Sequence, residues 1–398
     1  MLITSKFIMI PYGRQNINQS DIDAVVEVLK SDFLTQGPVV PEFEKSIADY
    51  CGSKHAIAVN SATSALHIAC LALGVGEGDI VWTTPITFVA SANCAIYCGA
   101  SIDFVDIDPL TYNLSVACLE KKLDEAKNSN KLPKVVIPVH LSGLPCDMES
   151  IYYLSQKYGF KIIEDASHAI GARYRGNPVG NCKYSDITIF SFHPVKIITT
   201  GEGGMALTNN SELANLMTRL RSHGVTRDPL EMSGPSDGPW YYQQLELGYN
   251  YRMTEIQAAL GLSQLRRLDE FIQTRQKIAL NYTKLLEGFH AIPPHYPKDD
   301  YSSFHLYIIR LQQLNGRPNR REVFERLRSH GVGVNLHYIP IYKHPYYSAM
   351  GFNDRDFPEA EAYYAEAISL PIYPGLTIEQ QADIVKKIAT PIGHQTIF

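Results

Sequence analysis

From the N-terminus to about residue 210, short apolar runs alternate with stretches that carry apolar residues on one helical face. The runs are rich in β-branched residues, which favour strands, and their separation leaves room for a helix after each strand. This alternation predicts a mostly parallel sheet with helices on both faces. The predicted strands are His55–Val59, Ile80–Thr84, Ile102–Ile107, Val135–Val139, Lys161–Ile163, Asp186–Phe190 and Met205–Thr208.

Polar side chains gather directly after these apolar runs. In a parallel sheet such positions lie at the carboxyl ends of the strands, where open α/β sheets bind ligands. We therefore expect one edge of the sheet to carry the chemistry. The positions concerned are Asn60–Thr63, Thr87 with Phe88, Asp106, His140, Asp165 and Ser191.

The pattern changes after Glu255. Apolar residues at helical spacing continue to about Phe289 and predict one long connecting helix. The remainder predicts a small α+β domain, so we expect a large domain over residues 12–255 and a second unit, with the connecting helix, over residues 256–398. Its predicted elements are a strand at Leu306–Leu311 and helices at Arg320–Ser329 and Ile378–Ile388.

The stretch Asp228–Gln244 is rich in Gly, Pro and Ser and predicts a loop. It also contains a Trp and two Tyr residues. These aromatic side chains are suited either to covering a site or to packing against a partner.

The composition narrows the class of protein. Of the 398 residues, 45% are hydrophobic and 19% charged, which is typical of a soluble α/β protein. Lys and Arg number 36 against 41 Asp and Glu, and no block of like charge occurs. Nucleic acid is therefore not expected as a partner.

The seven cysteines are scattered and form no CxxC pair, so we expect buried thiols in a reducing cytoplasm and no metal site. The apolar start is too short for a signal peptide, and no later run is long enough to span a membrane. The sequence thus predicts a cytoplasmic protein. Met9 is an alternative start, which would make the first eight residues dispensable.

Lys196 follows the apolar run that ends near Ser191, and it is followed by a glycine-rich segment, Gly201–Gly204. A catalytic lysine must be partly unprotonated, which suits a turn after a strand in a desolvated pocket. The glycines permit tight backbone turns around a cofactor. A lone lysine near a strand end is most often a solvated surface group, so other residues must corroborate the hypothesis.

Asp165 ends another apolar run, Ile162–Asp165. A carboxylate at the end of a buried strand is costly unless it is paired. A protonated pyridine nitrogen is one such partner, and its protonation makes a pyridoxal phosphate (PLP) ring an electron sink. The alternative for an isolated Asp is a helix N-cap.

Asn60–Thr63 lies between a predicted strand and the helical run Ala65–Leu73. Free N–H groups and small side chains at a helix N-terminus bind anions, so a phosphate is expected there. Ordinary helix capping explains the same residues equally well when they are taken alone.

Together these segments resemble the DegT/DnrJ/EryC1/StrS sugar aminotransferases, which have the type I PLP-dependent (aspartate-aminotransferase-like) α/β fold. The resemblance runs from about Pro11 to the C-terminus and implies PLP as cofactor, L-glutamate as amino donor and a homodimer with shared sites. The segments that carry it are Leu34–Pro38, Asn60–Leu66, Thr83–Asn93, Val105–Leu114, Glu164–Ala172, Ser191–Gly204 and Gly248–Leu265.

The resemblance also implies roles for single residues. Lys196 would form the Schiff base and carry the proton, and Asp165 would pair with the ring nitrogen. His168 would lie beside the phenolic oxygen, where many relatives have Gln. Phe88 would stack on the ring, although from the residues alone we expect it to pack in the core. The expected phosphate contacts are Ala62, Thr63 and Ser191, with Asn250 from the neighbouring subunit.

Further segments resemble a branch of the family that aminates a UDP-linked 4-keto-6-deoxy sugar: Pro11–Gln15, Ser31–Pro38, Val334–Tyr347 and Ser369–Leu376. Arg252 is a candidate clamp for the donor carboxylate, because a guanidinium binds carboxylates in bidentate fashion; an interface role is its alternative. His337 and Tyr338 suit interdomain packing about equally well. The implied sugar-nucleotide contacts are Tyr12, Asp32, Phe33, Leu34, Thr35, His337, Tyr338, Ile339 and Pro340.

Three rival functions remain at this stage. A PLP-dependent sugar 3-dehydratase of the same fold typically has His in place of the lysine, so Lys196 argues against it. A cofactor-sensing regulator carries an added DNA-binding domain, for which the residues before Tyr12 leave no room. Only the resemblance to the branch that aminates a UDP-linked sugar argues against a dTDP- or GDP-linked 3- or 4-keto hexose as substrate.

Overall fold

The computed structural model of the protein describes residues 9–129, 131–312 and 318–389. Its strands are β1 His55–Val59, β2 Ile80–Thr83, β3 Ser101–Phe104, β4 Val135–Ile137, β5 Lys161–Asp165, β6 Arg173–Tyr174, β7 Asn177–Pro178, β8 Ile187–Ser191, β9 Gly204–Thr208, β10 Val225–Thr226, β11 Gln243–Gln244, β12 Ala291–Ile292, β13 Tyr307–Leu311 and β14 Ala367–Leu370.

Two helices precede the first strand, and the others lie between the strands or after them. They are α1 Gln19–Lys30, α2 Val39–Cys51, α3 Ala62–Ala72, α4 Ala90–Tyr97, α5 Val116–Asn128, α6 Met148–Tyr158, α7 Ser211–Leu220, α8 Glu255–Leu265, α9 Leu268–Leu285, α10 Arg320–Ser329, α11 Pro345–Ser348, α12 Pro358–Glu366 and α13 Ile378–Ala389.

A seven-stranded sheet in the order β1-β9-β8-β5-β4-β2-β3 forms the centre of the molecule. The strands from β8 to β3 in that order run parallel, whereas β9 is antiparallel to both its neighbours. All residues of β4, β8 and β9 are buried, which explains why their sequences are apolar without alternation. The predicted mostly parallel α/β sheet is confirmed.

The connecting helix is not continuous, and the expectation of one long helix was wrong. The segment forms α8 and α9, which are separated at Arg266 and Arg267. Arg267 leaves the helical conformation, and its guanidinium lies 2.6 Å from the buried carboxylate of Asp21. The apolar periodicity does not show this break, because the ion pair joins residues far apart in sequence.

The C-terminal part forms a second, antiparallel sheet in the order β12-β13-β14, flanked by α9, α10 and α13. The predicted helices and strand of this part are confirmed within one residue at each end. Its segment from Ile341 to Ala367 shares a hydrophobic cluster with the central sheet. The division at residue 255 therefore stays a prediction.

The predicted loop Asp228–Gln244 contains no regular structure except the short β11 at its end. Trp240 there has 70% of its surface exposed. Within the described residues, no helix has both the length and the apolar character needed to cross a membrane. The first eight residues, predicted to be dispensable, lie outside the described residues.

Candidate active site

A cavity of about 920 Å³ lies at the carboxyl edge of the central sheet. The segments that follow β1, β2, β5 and β8 form one side of it, as the position of polar residues after strands predicts. His305 and residues 335–338 form the opposite side. The cavity thus lies between the central sheet and the C-terminal part of the chain.

Two polar residues from the predicted edge do not reach the cavity. The Asp106 carboxylate accepts hydrogen bonds from the N–H groups of Glu359 and Ala360, in the first turn of α12. His140 lies 2.8 Å from the buried carboxylate of Glu164. Asp106 thus links the segment after β3 to α12, and His140 links the segment after β4 to β5.

Lys196 follows β8 after a tight turn, in which its N–H donates to the carbonyl of His193 at 2.9 Å. Its side chain forms part of the cavity wall. Desolvation lowers the pKa of Lys196 to about 8, against a smaller opposing effect of the Asp165 carboxylate. A substantial fraction of the amine is therefore neutral near pH 8, as a nucleophile or proton carrier requires.

Asp165 ends β5 and is buried, and its carboxylate faces the same cavity. Ser91 Oγ donates to Oδ2 at 2.6 Å, and the N–H of Ser167 donates to Oδ1 at 3.1 Å. No helix begins at this position, so the alternative of a helix N-cap was wrong. The carboxylate is held in one orientation, ready to accept from a further cationic N–H donor.

The start of α3 provides the anion site. Ser61 is the N-cap and accepts from the N–H of Ser64 at 3.1 Å. Within the described part of the chain, no hydrogen bond uses the N–H groups of Ala62 and Thr63. A Cβ on Gly204 would lie 2.5 Å from the Ala62 nitrogen, so only glycine permits this close approach of β9. The free N–H groups suit a phosphate.

Phe88 lies at the cavity with 59% of its surface exposed, and the expectation of core packing was wrong. Its ring centroid is 6.2 Å from that of Tyr338. An aromatic side chain left open at a cavity is able to stack on a planar ligand.

Buried imidazoles form the wall beyond Asp165. His168 Nε2 lies 3.1 Å from the Tyr338 hydroxyl, and His337 Nδ1 lies 2.8 Å from Ser369 Oγ. Burial and the nearby Lys196 lower the pKa of both imidazoles, that of His337 to about 3. Both rings are therefore neutral at physiological pH.

Of the predicted sugar-nucleotide contacts, three line the cavity: Tyr12, His337 and Tyr338. The others lie outside the cavity of the single chain. Phe33 and Leu34 are exposed in the loop before α2. Ile339 is also exposed, and it lies outside the cavity. Asn250 is exposed, and the backbone of Arg252 bridges to Val59 at the end of β1. The remaining predicted residues outside the cavity are Asp32, Thr35 and Pro340.

The structure adds residues that sequence reasoning missed. His305 and Asn335 line the cavity, and Ser91 holds Asp165. His305 directly precedes the predicted strand Leu306–Leu311, so a polar residue at a strand start was the available signal. Ser91 offers none, because a buried serine in an apolar helix usually bonds within its own helix.

The residues present fit pyridoxal phosphate. They combine a lysine with a lowered pKa, an oriented buried carboxylate, an exposed aromatic ring and a helix N-terminus with free N–H groups. These groups match an aldehyde, a pyridine nitrogen, a planar ring and a phosphate, respectively.

The model of the DegT/DnrJ/EryC1/StrS aminotransferase family matches residues 15–389. The UDP-4-amino-4,6-dideoxy-N-acetyl-β-L-altrosamine transaminase of Campylobacter jejuni is 41% identical over 93% of this chain and 94% of its own length. Helicobacter pylori PseC, an aminotransferase involved in the biosynthesis of pseudoaminic acid, superposes with a TM-score of 0.86 at 33% identity, over 96% and 98% of the two chains. The PLP form of the Streptococcus pneumoniae sugar aminotransferase Spr1654 superposes with a TM-score of 0.83 at 30% identity, over 96% and 100%.

Proposed function

Because the chain belongs to the DegT/DnrJ/EryC1/StrS aminotransferase family and uses pyridoxal phosphate, we propose that it transfers the amino group of L-glutamate to C4 of a UDP-linked 4-keto-6-deoxy sugar. The observation that carries the proposal is the convergence of Lys196, Asp165 and the free N-terminus of α3 on one cavity. When bound, the cofactor supplies an aldehyde that reacts with amines and a ring that withdraws electrons.

Lys196 and Asp165 are the proposed catalytic residues. Asp165 keeps a proton on the ring nitrogen, and Ser91 fixes the orientation of its carboxylate. Lys196 Nζ would move a proton from Cα of the donor to the bound cofactor, and in the second half-reaction from the cofactor to C4 of the sugar. Its lowered pKa suits both steps, since a general base works best when its pKa lies near the working pH.

Further residues that line the cavity are proposed to bind the cofactor. Phe88 would cover the ring, and His168 would lie beside the phenolic oxygen. Ala62 and Thr63 bind the phosphate through their backbone N–H groups, and Ser191 adds a hydroxyl.

Asn250 is proposed to reach the phosphate of the neighbouring subunit in a homodimer. In the single chain it is exposed, and its backbone carbonyl lies 3.4 Å from Asn60 Nδ2 at the start of α3. The segment that carries it therefore lies beside the anion site. The exposed residues of the loop before α2, Asp32–Thr35, are proposed to contact the sugar nucleotide in the assembled dimer.

The specific substrate that we propose is UDP-2-acetamido-2,6-dideoxy-β-L-arabino-hex-4-ulose, and the product is UDP-4-amino-4,6-dideoxy-N-acetyl-β-L-altrosamine. The 41% identity with the Campylobacter transaminase supports this choice. The cavity volume of about 920 Å³ leaves space for a sugar nucleotide besides the cofactor. Tyr12, His337 and Tyr338 are the proposed contacts on the side away from the sheet. Arg252 does not line this cavity, so its role as a carboxylate clamp has no support from the single chain.

A panel of nucleotide-linked keto sugars tests the substrate. The purified holoenzyme is incubated with L-glutamate and UDP-, dTDP- or GDP-linked 3- and 4-keto hexoses, and the products are identified by NMR. We expect amination at C4 of the UDP-linked N-acetyl sugar, and no product with Lys196→Ala. Preferred turnover of a dTDP- or GDP-linked sugar would replace the proposed substrate, and a dehydrated product would replace the reaction class.

A further inference from the structure

Two neutral imidazoles pack against each other behind the catalytic pair. The ring centroids of His168 and His305 lie 4.3 Å apart, and both side chains are buried. Within the described residues, neither Nδ1 atom has a hydrogen-bond partner. A buried polar atom without a partner is rare in folded proteins, so the contact between these two rings calls for an explanation.

The segment that carries His305 is held rigidly on both sides. Arg275, a fully buried residue of α9, donates through Nη1 to the carbonyls of Phe304 at 3.0 Å, His305 at 3.3 Å and Ile372 at 3.0 Å. On the other side, Ser303 Oγ donates to the carbonyl of His168 at 2.8 Å. The backbone of His305 is therefore fixed relative to the turn that carries Asp165 and His168.

The surroundings keep both rings uncharged. Burial is the largest cause that lowers the pKa of His305, and the positive charges of Lys196 and Arg275 act in the same direction. Asp165 is the carboxylate closest along the chain to His168, and Ser91 and Ser167 already bind it. A proton on either imidazole would thus add a poorly compensated charge to the wall.

We propose that His305 is a positioning residue of the cofactor site, which acts through His168 by holding the His168 ring in a fixed orientation with Nε2 toward Tyr338. A neutral imidazole both donates and accepts hydrogen bonds, and which nitrogen carries the proton depends on its neighbours. His305 packs on one face of the ring and excludes water there, so it sets the orientation and the uncharged state that His168 presents to the cofactor. This inference rests on the proposed function, because it assumes that His168 contacts the cofactor.

A double-mutant cycle tests whether His305 acts through His168. The affinity of the apoprotein for pyridoxal phosphate and the pH dependence of the visible absorbance of the bound cofactor are measured for His305→Phe, His168→Gln and the double variant. We expect His305→Phe to weaken cofactor binding about 10-fold in the native background and less than about 2-fold beside His168→Gln, since interacting residues are not additive. The pH midpoint of the absorbance should shift only when His168 is present.

Equal effects in both backgrounds, or native affinity and spectra in His305→Phe, would overturn the inference. His295→Phe, at an exposed histidine, is the matched control and should match the native protein. If His305→Phe fails to fold by circular dichroism, the smaller His305→Asn replaces it in the same cycle. A native protein that does not bind the cofactor would instead refute the proposed function, so the two failures are distinguishable.

Discussion

Lys196 combines a common residue type with an uncommon environment. The side chain lies in a wall formed mainly by neutral groups, and among the described residues Asp165 is the carboxylate whose charge acts on it noticeably. Desolvation outweighs that attraction, and it lowers the pKa of the amine from 10.5 to about 8.

This environment predicts how the apoprotein captures pyridoxal phosphate. Only the neutral amine is reactive, so the capture rate should rise as pH increases through about 8 and level off above it. A solvated lysine would continue to gain reactivity up to its ordinary pKa of 10.5. Stopped-flow absorbance from roughly pH 6.5 to 10.5 measures the profile, because this range contains the expected midpoint and reaches the ordinary pKa of a solvated lysine.

Lys196→Ala is the control for the capture experiment and should give no covalent band at any pH. A midpoint near 10.5 in the native protein would show that the amine is solvated and would contradict the prediction.

Two other residues show how packing decides a role. Phe88 would be placed in the core on hydrophobicity alone, yet the turn after β2 leaves it open to the cavity. Ser91 has no distinctive sequence context, yet α4 places its hydroxyl 2.6 Å from Asp165. In both residues the surroundings, and not the residue type, determine the function available to the side chain.

At the scale of elements, Glu255 links two helices. Its fully buried carboxylate accepts hydrogen bonds from the N–H groups of Val39 at 2.6 Å and Val40 at 3.3 Å, in the first turn of α2. The N-cap of α2 is Pro38, which provides no side-chain cap. The N–H of Glu255 also donates to the carbonyl of Leu34 at 3.0 Å. The start of α8 therefore fixes the loop before α2.

Glu255→Ala should lower the free energy of unfolding by about 2 kcal/mol, because two buried N–H groups lose a charged acceptor. Thermal unfolding of the apoprotein, followed by circular dichroism, measures the loss. Glu255→Gln keeps one acceptor oxygen, so its free energy of unfolding should lie between those of Glu255→Ala and the native protein. Glu270→Ala, at an exposed glutamate of α9, is the matched control. A native melting temperature for Glu255→Ala would refute this capping role.

The elements themselves were largely predictable. β1 was predicted at its observed bounds, and the other six strands of the central sheet were located within a few residues. Their apolar, β-branched runs are local signals that need no tertiary information. The break between α8 and α9 was missed, since the Arg267–Asp21 ion pair that accompanies it spans most of the chain.

At the scale of the whole molecule, large apolar side chains remain uncovered in two segments. Phe33 and Leu34 are exposed before α2, and Trp240 and Leu247 are exposed between β10 and α8, the last with 78% of its surface. Neighbouring exposed apolar side chains, such as Phe33 with Leu34, are common at subunit interfaces. They support the proposed homodimer.

Subunit mixing tests the shared site. In the proposed dimer, Asn250→Asp would place a negative charge beside the phosphate, and Lys196→Ala removes the amine, so each variant alone should be nearly inactive. In a mixed dimer, the chain that keeps Lys196 receives the native Asn250 from its partner. A one-to-one mixture, dissociated and reassembled, should recover about a quarter of native activity, because half the dimers are mixed and each has one intact site.

The control mixture combines Lys196→Ala with Asp165→Asn. Both residues act within one chain, so reassembly should restore no activity. Absence of recovery in the first mixture, or an active monomer by sedimentation, would contradict the shared site.

The sequence by itself determined the order of the central strands along the chain, the mostly parallel sheet and, through the motifs shared with the family, the family and the cofactor. These follow from local periodicity and from short motifs whose residues lie next to one another in the chain. Only the tertiary structure decided which strand-end residues share the cavity, that Asp106 caps α12 instead, that Ser91 holds Asp165, and that His305 packs against His168. Those contacts join residues far apart in sequence, and packing, which no local pattern encodes, brings them together.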